Sequence, residues 1–243
     1  MSHVLILGAK SDIGMAIART YADNGYALYL AARNTQLLDV FKKDITIRSE
    51  SDVSLLEFDV TDMESHNDFF QRLEPKPEIV ICVIGYLGDQ QVAQNDLDEF
   101  QHITSVNYTG CASILSVIAN FFESQESGSL IAVSSVAGER GRKSNYIYGS
   151  AKAALTSFMS GLRNRLHGSG VHVLTVKPGF VDTKMTRDID LPEKLTAQPE
   201  EVAKAVFRAQ QKRIDVVYVK SLWRWIMLII RSLPEFLFKK TSF

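Results

Sequence analysis

The chain has 243 residues, 46% hydrophobic and 23% charged, the balance of one globular domain with a sizeable core. Lys plus Arg number 27 against 28 Asp plus Glu, a formal net charge of -1, so no basic field awaits a nucleic acid backbone and none is expected as partner. Cys82 and Cys111 and the scattered His3, His66, His102, His167 and His172 match no ligand spacing, which argues against a disulfide scaffold and against a metal site.

Met1-Ser2 leads straight into a strand pattern without a charged leader, apolar core and cleavage site, so a cytoplasmic protein is expected. Short apolar runs recur at His3 to Leu7, Ala27 to Ala31, Leu55 to Phe58, Ile79 to Ile84, Ser129 to Val133, Val171 to Val176 and Val216 to Val219, with helical patterns between them. Near-continuous apolar strands alternating with amphipathic helices predict an α/β, doubly wound (Rossmann-like) sheet of seven parallel strands in a single domain, residues 1–219. Thr183 to Pro199 is polar, holds Pro192 and Pro199, and follows a strand end, where such sheets bind ligands. It reads as a mobile lid.

Residues 220–243 form an amphipathic tail. Its uninterrupted apolar run, Trp225 to Ile230, falls far short of the about 20 residues that span a bilayer. Five basic residues and one acidic give the tail +4 and leave -5 on the remainder. Two readings stand side by side: a helix lying at the inner face of a membrane, and a helix packed on the subunit or on a second copy.

After the first strand, Gly8-Ala9-Lys10-Ser11-Asp12-Ile13-Gly14 opens a helix. Gly8 permits the turn, Gly14 permits close helix–strand packing, and the free N–H groups at the helix start can hold a pyrophosphate. Asp12 takes the place of a middle glycine, and a carboxylate beside a diphosphate is repulsive. The expectation is that Asp12 caps the helix, turned away from the phosphates, with Lys10 offsetting its charge. The second strand ends Ala32-Arg33, and an Arg there pairs with a 2′-phosphate, which favours NADP(H) over NAD(H). Asp59, followed by Val60, is placed to accept from an adenine amino group or to cap the next helix.

Tyr148 and Lys152 stand four apart in Tyr146-Ile147-Tyr148-Gly149-Ser150-Ala151-Lys152, on one helix face. An ammonium beside a phenol favours phenolate, which suits proton exchange with an alcohol oxygen. Ser135, at the end of the fifth strand, can donate to a carbonyl oxygen.

These residues resemble the short-chain dehydrogenase/reductase family, from the first strand through the seventh: the glycine loop, Asp59, Asn107 in Ser105-Val106-Asn107-Tyr108, Ser135, Tyr148 with Lys152, and Pro178-Gly179-Phe180-Val181-Asp182-Thr183. The resemblance implies that Tyr148 is the general acid of carbonyl reduction, that Ser135 orients the carbonyl, that Lys152 binds the nicotinamide ribose and tunes Tyr148, and that Asn107 positions a water. Pro178, Gly179, Val181 and Thr183 would hold the carboxamide, and Gly85 would approach the adenine ribose. At several positions the residues leave a second reading: Asn107 as brace of a helix kink, Ser134 in place of Ser135, Pro178-Gly179 as a turn. Val83-Ile84 departs from the family's Asn-Ala. The tail and Gly138-Glu139-Arg140-Gly141-Arg142 are similar to a subgroup, the decaprenylphosphoryl-2-keto-pentose reductases. That likeness implies a keto-sugar or lipid-linked ketone as substrate, its phosphate met by Arg140, Arg142 and Lys143. A homodimer or homotetramer is expected, as in relatives. The alternatives are an idle dinucleotide-binding scaffold at a membrane and a reductase of soluble acyl or steroid-like substrates.

Overall fold

The computed structural model describes residues 2–187 and 190–241, so Asp188 and Ile189, within the stretch read as a lid, lie outside the described residues. Seven strands, β1 (His3–Leu7), β2 (Ala27–Ala32), β3 (Val53–Glu57), β4 (Ile79–Cys82), β5 (Ser129–Val133), β6 (His172–Pro178) and β9 (Val216–Val219), form one parallel sheet in the order β3-β2-β1-β4-β5-β6-β9. The order reverses between β1 and β4, the switch point that leaves a crevice at the strands' carboxyl ends.

Alternate residues of each strand feed two cores. Val4, Ile6, Leu28, Leu30, Ile79 and Ile81 face α1 (Asp12–Ala22) and α8 (Pro199–Gln211), while Leu5, Leu7, Tyr29, Val80 and Cys82 face α6 (Gly110–Ser124) and α7 (Tyr146–Leu166). Burial on both faces is why these strands read as unbroken apolar runs. Cys82 and Cys111 are free thiols in contact in the second core, Sγ to Sγ 3.6 Å.

The segment read as a lid is partly built. Phe180–Val181 (β7) pairs in parallel with Thr196–Ala197 (β8), and Lys184–Thr186 and Glu193–Leu195 are single 3₁₀ turns. The two-residue pairing is too short to show as a run in the sequence. In the tail, α9 (Leu222–Ser232) lays Trp223, Met227 and Ile230 against Val136, Phe180, Leu195 and Tyr218, and Pro234 separates it from α10 (Glu235–Phe238). The subunit-packing reading thus describes one face of this helix.

Candidate active site

The glycine loop is closed on itself. Gly8 takes φ +89, and the N–H groups of Gly8 and Ala9 donate to Ala31 O at 2.9 and 3.1 Å. Ser11 Oγ donates to Gly8 O at 2.9 Å and accepts the Gly14 N–H at 3.0 Å. A Cβ on Gly14 would stand 2.6 Å from Gly8 O, so the helix start reaches the loop only because residue 14 has no side chain.

The helix cap is Ser11 and not Asp12, the first correction to the sequence reading. Asp12 is the first helical residue, and its Oδ2 accepts the Lys184 N–H at 2.8 Å while Lys184 Nζ lies 3.8 Å from Oδ1. Lys10 does not offset it, because Lys10 Nζ donates to Arg33 O at 3.0 Å. The displaced charge is met by a residue far along the chain, which local spacing cannot reveal.

A cavity of about 350 Å³ opens beside this loop, lined by Gly8, Lys10, Ser11, Asp12, Ile13, Arg33, Asp59, Val60, Gly85 and Thr183 among others. Arg33 Nη1 lies 3.9 Å from Asp59 Oδ2, both well exposed. Asp59 Oδ1 accepts from the Thr61 N–H and hydroxyl at 2.9 and 2.8 Å. Burial pushes the Asp59 carboxyl up, but these two bonds and the Arg33 charge outweigh it and hold the group below the ordinary carboxylate value.

A second cavity, about 410 Å³, is lined by Ser135, Tyr148, Lys152, Pro178, Gly179 and Val181, and shares Ile13, Val83, Ile84, Gly85, Thr183 and Met185 with the first. The two form one cleft along the switch point. The Ser134 hydroxyl is committed elsewhere: it donates to Lys152 O at 2.9 Å and meets Thr156 Oγ1 at 2.7 Å. Ser135 Oγ accepts the Ala137 N–H at 3.1 Å, which leaves its proton for an acceptor in the cavity. Lys152 is buried, with Nζ donating to Ile84 O and Val133 O, each at 3.2 Å, and lying 5.8 Å from the Tyr148 ring centre.

Asn107 is fully buried in a π-helical turn, Ser105–Thr109. Its Nδ2 donates to Tyr86 O at 2.6 Å and Ile103 O at 2.8 Å, and its Oδ1 accepts the Tyr86 N–H at 3.1 Å. A Cβ on Gly85 would come within 3.4 Å of Asn107 Oδ1 and 3.5 Å of Lys152 Nζ, so Gly85 leaves open the space bordered by both.

The profile of a family described as short chain dehydrogenase matches residues 2–194. An uncharacterized oxidoreductase of Mycobacterium tuberculosis is 36% identical over 240 residues, 98% of this chain and 96% of that protein. The chain belongs to the short-chain dehydrogenase family. A Streptomyces coelicolor uncharacterized oxidoreductase is 32% identical over 240 residues, 98% of this chain and 94% of its own length. The fold recurs in a short-chain dehydrogenase from Sphingobium yanoikuyae in complex with NADPH (TM-score 0.85, 24% identity, 97% of each chain). It recurs again in one from Burkholderia cenocepacia in complex with NADP (TM-score 0.84, 22% identity, 98% of this chain and 96% of that one).

Within this dehydrogenase, the family's usual Asn-Ala pair is replaced by Val83-Ile84, and Ile84 supplies its backbone carbonyl to Lys152 while its side chain covers Gly8. Sequence reasoning singled out neither Gln90 nor Asn145 on the far wall of the larger cavity, which Phe180 and Trp223 complete. Trp223 comes from the tail, its Nε1 donates to Leu195 O at 3.0 Å, and a Cβ on Gly179 would overlap its indole. Only the tryptophan's helical spacing with Met227 and Ile230 hinted at a buried face.

Arg140 is not free to meet a substrate, a second correction. Its Nη1 donates to Ile230 O and Leu233 O at 2.5 and 2.6 Å, its Nη2 to Glu235 at 2.9 Å, and its guanidinium lies 3.8 Å from the Phe238 ring centre. It caps the C-terminus of α9. Beside it, nearly buried Glu139 accepts from Lys177 at 2.8 Å and from the Tyr218 hydroxyl. Burial first, and that bond second, push the Tyr218 phenol up to about 12. The network ties the segment after Ser135 to the base of the tail.

Proposed function

We propose that the protein reduces a carbonyl to an alcohol with NADPH, Tyr148 giving the proton. The reading is carried by Ser135, Tyr148 and Lys152 lining one cavity that continues, past Ile13, Gly85 and Thr183, into the cavity beside the glycine loop. The residues suit a dinucleotide: Gly8 and Gly14 let the loop close against Ile84 and the helix start close against Gly8 O, where a Cβ at either position would collide, and Arg33 stands at the end of β2, where a 2′-phosphate falls. The nicotinamide, when bound, supplies the hydride.

The protein's own groups do the rest. The Ser135 hydroxyl donates to the carbonyl oxygen and fixes it beside the Tyr148 phenol, which transfers its proton as negative charge develops there. The Lys152 ammonium, anchored by the carbonyls of Ile84 and Val133, supplies a positive field at that point. Asn107 is a positioning residue: by pinning both backbone polar groups of Tyr86 it fixes the loop that carries Ile84 O. Pro178, Gly179, Val181 and Thr183 border the nicotinamide end, and Lys10, Ser11, Asp59 and Val60 the adenosine end. The substrate is a small-molecule or lipid-linked ketone.

The far face of α9 supports a membrane setting. Leu222, Trp225, Leu228 and Ile229 are all more than half exposed, opposite the stripe that packs on the body, and Arg224, Arg231, Lys239 and Lys240 flank them. An apolar face with a basic border fits an anionic lipid surface. No helix among the described residues is long and apolar enough to cross a membrane.

Oxidation of NADPH by a panel of ketones tests the reaction. Wild type turns over, and Tyr148→Phe loses on the order of 10²- to 10⁴-fold in kcat while binding NADPH normally. Equal rates in the two proteins would overturn the assignment, and no turnover at all would leave a dinucleotide-binding scaffold.

A further inference from the structure

Three polar side chains on the wall of the larger cavity have buried hydrogen-bonding atoms with no protein partner: Gln90 Nε2, Arg142 Nε and Asn145 Oδ1. None of the three lines the cavity beside the glycine loop. Buried polar atoms left without partners cost free energy, so three on one cavity wall favour a polar occupant.

Gln90 alone of the three has a side-chain hydrogen bond among the described residues. Gln90 opens α4 (Gln90–Ala93), and its Oε1 accepts the Ile147 N–H at 3.0 Å, which commits one end of the amide and leaves Nε2 without a partner. Asn145 occupies the N-cap of α7, yet its side chain makes no capping bond. Arg142 has no carboxylate within 4.0 Å and no side-chain hydrogen bond among the described residues, whereas its neighbour Arg140 is committed to Glu235 and three tail carbonyls. Burial also lowers the guanidinium's pKa. A partly buried cation without a counter-charge is a poor element of a fold and a good element of an anion site.

We infer that Gln90, Arg142 and Asn145 form a recognition subsite for an oxyanion, phosphate or carboxylate, borne by the ketone substrate. The inference rests on the reductase reading for its link to turnover. Arg142 and Gln90 donate to the oxyanion, and Asn145 Oδ1 accepts from a hydroxyl beside it. Asn145, the N-cap of α7, stands three residues before Tyr148, so the subsite lies at the same helix end as the proton donor. Val136, Phe180 and Trp223 give the remainder of the substrate an apolar wall.

The test uses the full chain saturated with NADPH, which keeps the probes from the dinucleotide site. Thermal denaturation is followed with dihydroxyacetone phosphate, with acetoacetate, and with uncharged dihydroxyacetone. A phosphate site raises the melting temperature with the first probe, a carboxylate site with the second, and dihydroxyacetone has no effect. Arg142→Gln removes the rise, as does Gln90→Leu should the arginine variant fail to fold. In steady state the ratio of kcat/KM for charged over uncharged ketone falls at least about tenfold in Arg142→Gln, through KM. Equal stabilisation of wild type and Arg142→Gln by both oxyanions, or none of wild type by either, overturns the subsite. Stabilisation without reduction of any ketone leaves the subsite standing and removes the reductase reading; reduction of uncharged ketones without oxyanion effects does the reverse.

Discussion

Asp12 Oδ2 accepts the backbone N–H of Lys184 at 2.8 Å across 172 residues of sequence, so the first turn of α1 straps the segment that follows β7. The carboxylate that looked like a liability beside a pyrophosphate is spent on this strap and on the Lys184 ammonium. Asp12→Asn keeps an acceptor, and Asp12→Ala removes it. A single part-exposed bond of this kind is worth about 1 kcal/mol. Asp12→Ala is therefore expected to weaken NADPH binding about fivefold, with Asp12→Asn close to wild type, by titration of nucleotide fluorescence. Tighter binding in Asp12→Ala would mean that repulsion outweighs the strap.

The NADPH reading rests on Arg33. Its contact with Asp59 is long and exposed, 3.9 Å with the Arg33 side chain 58% accessible, and exposed pairs contribute about 0–1 kcal/mol. The guanidinium can leave Asp59 for a 2′-phosphate at little cost. Arg33→Ala is expected to raise KM for NADPH by about tenfold and leave KM for NADH and the melting temperature nearly as they were. A parallel loss with both nucleotides would assign Arg33 to the fold.

What the sequence made legible follows the range of the interactions. The seven strands were readable because each is apolar for its own local reason, and Ser135, Tyr148 and Lys152 because one helix and one strand end carry them. Boundaries moved where tertiary pairing decides them: β6 runs on to Pro178 because β9 pairs with it there, while β4 stops at Cys82. The Asp12–Lys184 strap, the Arg140 clamp on α9 and the Trp223–Gly179 contact join residues distant in the chain, and no periodicity records them. Asn145 hides differently, since a helix-capping Asn and an Asn facing a ligand look alike in sequence.

Two buried histidines set a pH limit. His66 stacks on Phe58 with ring centres 5.2 Å apart and shares a 2.9 Å hydrogen bond with Ser113, and His172 Nε2 meets Ile214 O at 3.0 Å. In both, burial is the largest influence and lowers the imidazole below the ordinary 6.5. The unfolded chain takes up these protons first as pH falls, so stability present above about pH 6.5 is lost through the window down to the depressed folded value. Melting temperature is expected to drop between about pH 7.5 and pH 5.5, less steeply in His66→Gln/His172→Gln. An identical slope in the double variant would place the acid sensitivity elsewhere.

The tail has two faces that a truncation cannot separate. Ending the chain at Val219 removes Trp223 from the cavity wall along with the exposed apolar stripe, so loss of activity and loss of lipid binding would arrive together. Trp225→Ser with Ile229→Ser alters only the exposed face, 61% and 64% accessible, and should leave the melting temperature within about 0.5 kcal/mol equivalent of wild type. Trp223→Ala instead empties a buried site, is expected to cost about 3–5 kcal/mol, and strips the cavity of the indole seated over Gly179. Flotation on anionic vesicles then sorts the roles: wild type and the folded fraction of Trp223→Ala float, and the double serine variant stays in the soluble fraction. Flotation of the double variant equal to wild type would remove the membrane from the reading and leave the exposed stripe for a second copy of the chain.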